Sequence, residues 1–233
     1  MKPVAIIQHD IHDGPSYFAT WLQNQDIGFE VFAMFDGLTL PADLSKFSGM
    51  CMLGGPMSAN DPLPYYPQLL RLVREAVQRR QPVIGHCLGG QLLSRALGGT
   101  VQASANVEIG WSRLEPVQPV ATEWFGPMPV QLFQWHGESF SIPPRATQLL
   151  VGQYCANQAY VLDDMHLGMQ FHCEVDLPKL QCWLELGAGE MQRSTSPGVQ
   201  KPHTILQTLE ADLTRSQRTA DRIYARWAQG LAR

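Results

Sequence analysis

The ten residues Pro82-Val83-Ile84-Gly85-His86-Cys87-Leu88-Gly89-Gly90-Gln91 restrict what this chain can fold into more than any other segment. A short β-branched run ends at a cysteine set among glycines, and a helix-forming stretch begins at once. This is the layout of a nucleophile elbow. A sharp strand-to-helix turn holds a reactive side chain at the rim of a sheet, and the helix N-terminus aims its backbone N–H groups at the same spot. A thiol reacts as its thiolate, and a helix N-terminus or a nearby imidazolium favours that form.

The flanking pattern supplies a sheet for the elbow. Val4–Gln8 reads as a first buried strand, Tyr17–Gln25 as a helix, Phe29–Phe35 as a second strand and Gly49–Leu53 as a third. Tyr66–Arg80 carries apolar residues at 69, 70, 73, 76 and 77, a helical spacing. Pro82–His86 is the next strand and Leu88–Leu97 the next helix. Such alternation implies an α/β fold: a doubly wound, mostly parallel central sheet with helices on both faces. Right-handed crossovers then bring the strands' C-terminal ends to one edge, where Gly54-Gly55-Pro56 and Cys87 both lie. Farther on, Thr100–Ser104, Gly110–Leu114, Val130–Trp135, Gln148–Gly152, Ala159–Leu162 and Leu167–Phe171 are short strand candidates that suggest an antiparallel extension. Past Asp176 the pattern is helical again, and Thr204–Leu231 reads as one long amphipathic helix. Gly187–His203 has little apolar content and reads as a mobile loop. Residues 1–233 carry no repeat, low-complexity tract or clear linker, so they read as a single domain with a helical extension over about 176–233.

Bulk properties exclude several classes of function. A formal net charge of −4, with lysines and arginines scattered, argues against a nucleic-acid partner. The apolar run Val4-Ala5-Ile6-Ile7 is too short for a signal-peptide core, and no stretch is long enough to span a membrane. The five cysteines, at 51, 87, 155, 173 and 182, include no CxxC pair and read as free thiols of a reducing compartment, the cytoplasm.

A second segment, Gly168-Met169-Gln170-Phe171-His172-Cys173-Glu174-Val175, supplies the remaining chemistry. If the strand continues through it, His172 and Glu174 share one face. A carboxylate beside an imidazole fixes its tautomer and stabilises its cation, and an imidazole beside a thiol acts as base and then as acid. Cys87, His172 and Glu174 then form a triad. In Leu53-Gly54-Gly55-Pro56-Met57, glycine lets the backbone turn an N–H inward, so that this N–H and that of Leu88 can hold a developing oxyanion. His136-Gly137-Glu138 is a rival pair of the same spacing. His86 should face the opposite side of its strand. His9, His12 and Asp13 sit at the same sheet edge and read as pocket rim more than as a metal site.

These pieces, in this order, resemble the class I (triad-type) glutamine amidotransferase family from the first strand to about Val175. The resemblance implies the family's flavodoxin-like fold. It implies Cys87 as the nucleophile that forms a γ-glutamyl thioester, His172 as its base and Glu174 as the orienting carboxylate. It further implies Gly55 and Leu88 as oxyanion positions and Gln91 as a residue holding the glutamyl group. The loop Gln134-Trp135-His136-Gly137-Glu138, with Trp135 and Gly137, would grip the amino-acid end. Two features depart from the family: Cys173 stands where a proline is usual between His and Glu, and no synthetase half or P-loop is present. The sequence shows no cofactor or metal site. The leading expectation is hydrolysis of glutamine or a γ-glutamyl compound by a free-standing enzyme of the GMP-synthase-like type. A glutaminase subunit feeding a separate synthetase and a catalytically silent binding protein of the same fold are the alternatives.

Overall fold

The structure is a computed structural model and describes residues 1–231. Its elements run β1 (Val4–Gln8), α1 (Ser16–Asn24), β2 (Phe29–Ala33), β3 (Gly49–Met52), α2 (Tyr66–Gln78), β4 (Val83–His86), α3 (Leu88–Ala96), β5 (Val101–Pro116), α4 (Ala121–Phe125) and β6 (Val130–Phe140). They continue with β7 (Thr147–Gly152), β8 (Ala159–Leu162), β9 (His166–Met169), α5 (Leu177–Leu186), α6 (Ala188–Arg193), β10 (Gly198–Val199) and α7 (Pro202–Ala228). One sheet holds every strand, in the order β10-β5-β7-β8-β9-β4-β3-β1-β2, with β6 paired to β5. The β4-β3-β1-β2 half is parallel and β9 joins it in parallel. β5 through β9 form the antiparallel extension.

Both faces of the parallel half are covered, which explains why its strands read as unbroken apolar runs. In β1, Val4 and Ile6 enter one core with Phe18, Trp124, Phe171, Tyr224 and Trp227, beneath α1, α4 and α7. Ala5 and Ile7 enter the other with Leu69, Val73, Leu92 and Tyr160, beneath α2 and α3. A third cluster joins Trp111 and Phe133 to Leu180, Leu184, Met191, Ile205 and Leu209, seating α5, α6 and the start of α7 against β5 and β6. No helix among the described residues is long and apolar enough to cross a membrane.

Two expectations give way. The candidates Thr100–Ser104 and Gly110–Leu114 are one strand, β5, whose register against β6 shifts between Ala103 and Glu108. The intervening polar residues sit in that irregularity, so they interrupt the alternation without ending the strand. Gly187–His203 is not a loop throughout. It holds α6, anchored by buried Met191, and β10, which pairs with Glu108 and Ile109. One methionine and a two-residue pairing are enough to place a segment that has almost no periodicity to read.

Candidate active site

β4 ends at His86 and α3 starts at Leu88, leaving Cys87 alone to make the turn at φ +46° and ψ −108°. That conformation is rare for a residue with a Cβ and is sustained only where the surroundings fix it. Here the glycines do so by letting α3 lie directly on the sheet. A Cβ on Gly89 would run into the Met52 backbone, and one on Gly90 into the Met169 carbonyl. Cys87 is almost fully buried. Its Sγ lies 3.6 Å from Gln170 Nε2 and 3.8 Å from the Trp135 carbonyl, and it opens on a cleft of about 650 Å3.

His172 lies beyond β9, which ends at Met169. The strand continuation that the spacing suggested does not occur. An isolated bridge, His172 N–H to the Phe133 carbonyl at 2.8 Å, pins the residue to β6 instead. The pairing with Glu174 nonetheless forms: His172 Nδ1 donates to Glu174 Oε1 at 2.7 Å. This leaves Nε2 as the free ring nitrogen, and His172 and Cys87 line the same cleft. Burial pulls the imidazole pKa down, but the Glu174 carboxylate and the Cys87 sulfur outweigh it and raise it to about 10.

Behind the pair stands a cation that the sequence did not mark. Lys179 Nζ lies 3.3 Å from Glu174 Oε1, forms an ion pair with Asp13 and donates to the Gly14 carbonyl at 2.8 Å. Burial opposes ionisation of Glu174, yet Lys179 and His172 prevail and hold its carboxyl well below the usual range. Burial likewise opposes the charge on Lys179, and Asp13 and Glu174 overcome it, so the ammonium's pKa is raised. For Asp13 burial wins, and its carboxyl is pushed above its ordinary value. Asp13, His172 and Glu174 bring ligand-type atoms together. The Lys179 ammonium already supplies the positive charge that a cation would bring there. No local pattern could have paired Lys179 with the loop after β1, 165 residues away.

The remaining sequence candidates fall into place around the thiol. The glycine turn after β3 packs on the histidine: a Cβ on Gly54 would sit 2.8 Å from His172 Cε1. One on Gly55 would sit 3.2 Å from Leu88 Cδ2 and 3.1 Å from His9 Cβ, so Gly55 packs against the Leu88 side chain. Gln91 Nε2 donates to the Glu138 carbonyl at 3.1 Å, tying α3 to β6. Trp135 and Gly137 line the cleft, and the Trp135 indole donates to Glu190 at 3.1 Å.

The rival pair does not form. Of Glu138, His136 touches the backbone carbonyl and not the carboxylate, and its Nε2 pairs with buried Glu108 at 3.2 Å, while the Glu138 carboxylate accepts the Ser58 hydroxyl at 2.8 Å. His86 points away from the cleft toward Tyr224 and Cys51, and burial lowers its pKa to about 4. Cys173 also turns from the cleft, with its sulfur 3.4 Å from the Tyr224 hydroxyl, and all five cysteines are free thiols. His9 bonds the Tyr65 hydroxyl at 2.9 Å, whereas His12 and Asp13 line the cleft.

Comparison with known proteins extends this geometry. The family model of glutamine amidotransferase class-I matches residues 23–181. A crystal structure of a glutamine amidotransferase from Methylobacillus flagellatus superposes with a TM-score of 0.98 at 45% identity, covering 100% of this chain and 96% of that one. A glutamine amidotransferase-like protein of Salmonella typhimurium is 26% identical over 181 residues, 73% of this chain and 75% of its own length. A glutamine-hydrolysing GMP synthase of Thermomicrobium roseum is 34% identical over 131 residues, which are 54% of this chain but only 23% of that enzyme.

Proposed function

The chain belongs to the class I glutamine amidotransferase family, and from that premise we propose that it hydrolyses the side-chain amide of glutamine or a γ-glutamyl compound through a thioester on Cys87. One observation carries the reading. The His172 ring, hydrogen-bonded to Glu174 at 2.7 Å, lines the same cleft as the Cys87 thiol and keeps its other nitrogen free for it.

The chemistry follows from those positions. His172 takes the thiol proton, and the sulfur adds to the amide carbon. The Gly55 and Leu88 N–H groups hold the oxyanion, an interaction that strengthens only as the charge develops. His172 then gives the proton to the leaving nitrogen, the C–N bond breaks and the thioester remains. Water, activated by the same ring, adds to the thioester and releases glutamate and the thiol. Glu174 keeps Nδ1 protonated and stabilises the imidazolium, and Lys179 keeps Glu174 ionised. Gln91, Trp135 and Gly137 would position the glutamyl group. The whole of residues 1–233 acts as the unit, with 176–233 supplying one wall of the cleft through α5 and α6.

The GMP synthase relative supports a second version, delivery of the released ammonia to a separate synthetase, since this chain matches only a quarter of such an enzyme. Incubation with glutamine and γ-glutamyl peptides, followed by product analysis, separates ammonia release from peptide cleavage. A glutamine-like electrophile should modify Cys87 far faster than Cys51 or Cys155. Labelling at equal rates, with no ammonia or amine released, would leave a binding protein of the same fold.

A further inference from the structure

The cleft is larger and more acidic than glutamine requires. Its volume of about 650 Å3 lies in the range that takes up drug-sized ligands, whereas glutamine is a small amino acid. Asp10, Asp13, Glu138 and Glu190 line it, and no lysine or arginine does among the described residues. Asp13 is neutralised by Lys179 from behind. The other three accept only from neutral donors: Asp10 from the His12 backbone, Glu138 from Ser58 and Glu190 from the Trp135 indole. Three carboxylates therefore face the cleft without a cationic partner, in the same space as the reactive thiol.

The aromatic wall fixes which part of the substrate meets them. His172 must hand its proton to the leaving nitrogen, so the substituent on that nitrogen emerges beside the histidine. There the Trp183 ring meets His172 edge-on at 4.7 Å between centroids, and Trp135 meets Trp183 at 6.0 Å. Leu186, 62% exposed, extends the apolar strip toward Glu190. An alkyl chain lies well on such a strip, and a cation at its end gains from the carboxylates and from the Trp135 indole, since the Trp183 ring already carries the Lys179 ammonium at 4.9 Å.

The geometry points to a substrate class: a γ-glutamyl amide whose leaving amine is an alkyl chain ending in a second, protonated nitrogen. This rests on the hydrolytic reading above and names the leaving group for it. The step is the one already written, with the C–N bond broken, the thiol proton carried by His172 to the leaving nitrogen and a diamine released in place of ammonia. Glu190 and Asp10 are the specificity residues, and an anionic leaving group such as a peptide carboxylate is repelled.

The test compares kcat/KM of the full chain for γ-glutamyl-1,4-diaminobutane, glutamine and glutathione. The diamine amide should exceed glutamine by about tenfold, and glutathione should be poorest. Glu190→Gln keeps an acceptor for the Trp135 indole and removes only the charge. It and Asp10→Asn should each lower the ratio of diamine amide to glutamine by about fivefold, the worth of an exposed ion pair. Glutamine turned over as well as the diamine amide, or a ratio that neither variant moves, overturns the inference and leaves the hydrolytic reading intact. Calorimetric binding to Cys87→Ala separates the opposite case. If wild type turns over none of the three but the variant binds the diamine amide tightest, the hydrolytic reading fails and the ligand class stands. If it binds all three alike, the ligand class fails too.

Discussion

At the scale of single residues, the site is a line that starts at Cys87 and continues as alternating charges: His172, Glu174, Lys179, Asp13. Each of the four charged members is buried, so each depends on its neighbour to stay ionised. Three predictions belong here. His172→Ala should lower kcat by several orders of magnitude, while His136→Ala, which loses only its bonds to Glu108 and the Glu138 carbonyl, should retain measurable turnover. Steady-state assays decide, and the reverse order would move the base to His136. Lys179→Met removes the cation that keeps Glu174 ionised, so the acid limb of the kcat/KM profile should move to higher pH. The variant also strands two buried carboxylates and should lose about 3–5 kcal/mol of stability. Adding Asp13→Asn should recover part of that stability without returning the acid limb, which sets the electrostatic role apart from a merely structural one. The third concerns His172 itself, whose pKa is raised to about 10 from 6.5. A group raised on folding contributes fully below its unfolded value and loses the contribution as pH climbs through the folded one. The difference in Tm between wild type and His172→Gln should therefore be largest below about pH 6.5 and shrink toward pH 10. The three residues at the head of this line stood out in the sequence because each lies inside a short motif. Lys179 did not, because its partners Asp13 and Gly14 come from the loop after β1 and only the folded chain brings them together.

At the scale of elements, the elbow works because α3 is pressed onto β3 and β9 by side chains that are missing. Gly89→Ala places a methyl against the Met52 backbone and Gly90→Ala one against the Met169 carbonyl, neither of which can step aside. Each should cost about 1–3 kcal/mol or more, and activity should fall further than stability because Cys87 and Leu88 move with the helix. Gly137→Ala is the contrast. Its new methyl would meet only Val107 Cγ2 at 3.6 Å, ordinary contact, so the Tm should hardly change. Chemical denaturation of the three variants checks the order. The parallel half of the sheet was legible in the sequence because two-sided burial leaves continuous apolar runs such as Val4–Gln8 and Val83–His86. The extension was harder. β5 is exposed on parts of both faces and shifts register near Glu108, so its 16 residues read as two fragments. The α6–β10 segment was illegible for a different reason: its place is set by what α5, β5 and α7 leave open, not by a pattern of its own. That segment carries Glu190, so this wall of the cleft, like Lys179, lay beyond the reach of motif reading.

At the scale of the whole molecule, titration inside the core sets the pH at which the fold is strongest. Burial lowers His9 to about 3 and both His86 and His166 to about 4. All three are neutral in the folded chain and charge on unfolding at about 6.5. Lowered histidines make the unfolded state the better proton binder between about pH 6.5 and 4, so stability must fall as pH falls through that window. Asp13 runs the other way, because its carboxyl is raised and takes up a proton early on the folded side. Glu174 adds its loss only below the ordinary carboxylate range, since its pKa is depressed. On the alkaline side His172 gives up its contribution between about 6.5 and 10. The two limbs meet, and the stability maximum should lie near pH 6.5. Urea unfolding at half-unit intervals from pH 4.5 to 9 should trace that dome, with an acid slope worth between about two and three protons. His86→Phe, which keeps an aromatic ring against Phe18 and Tyr224, should remove about one proton from the acid slope and leave the alkaline slope alone. A flat profile between pH 4.5 and 6.5, or an acid slope that the His86 variant does not change, would mean that these histidines are charged inside the fold.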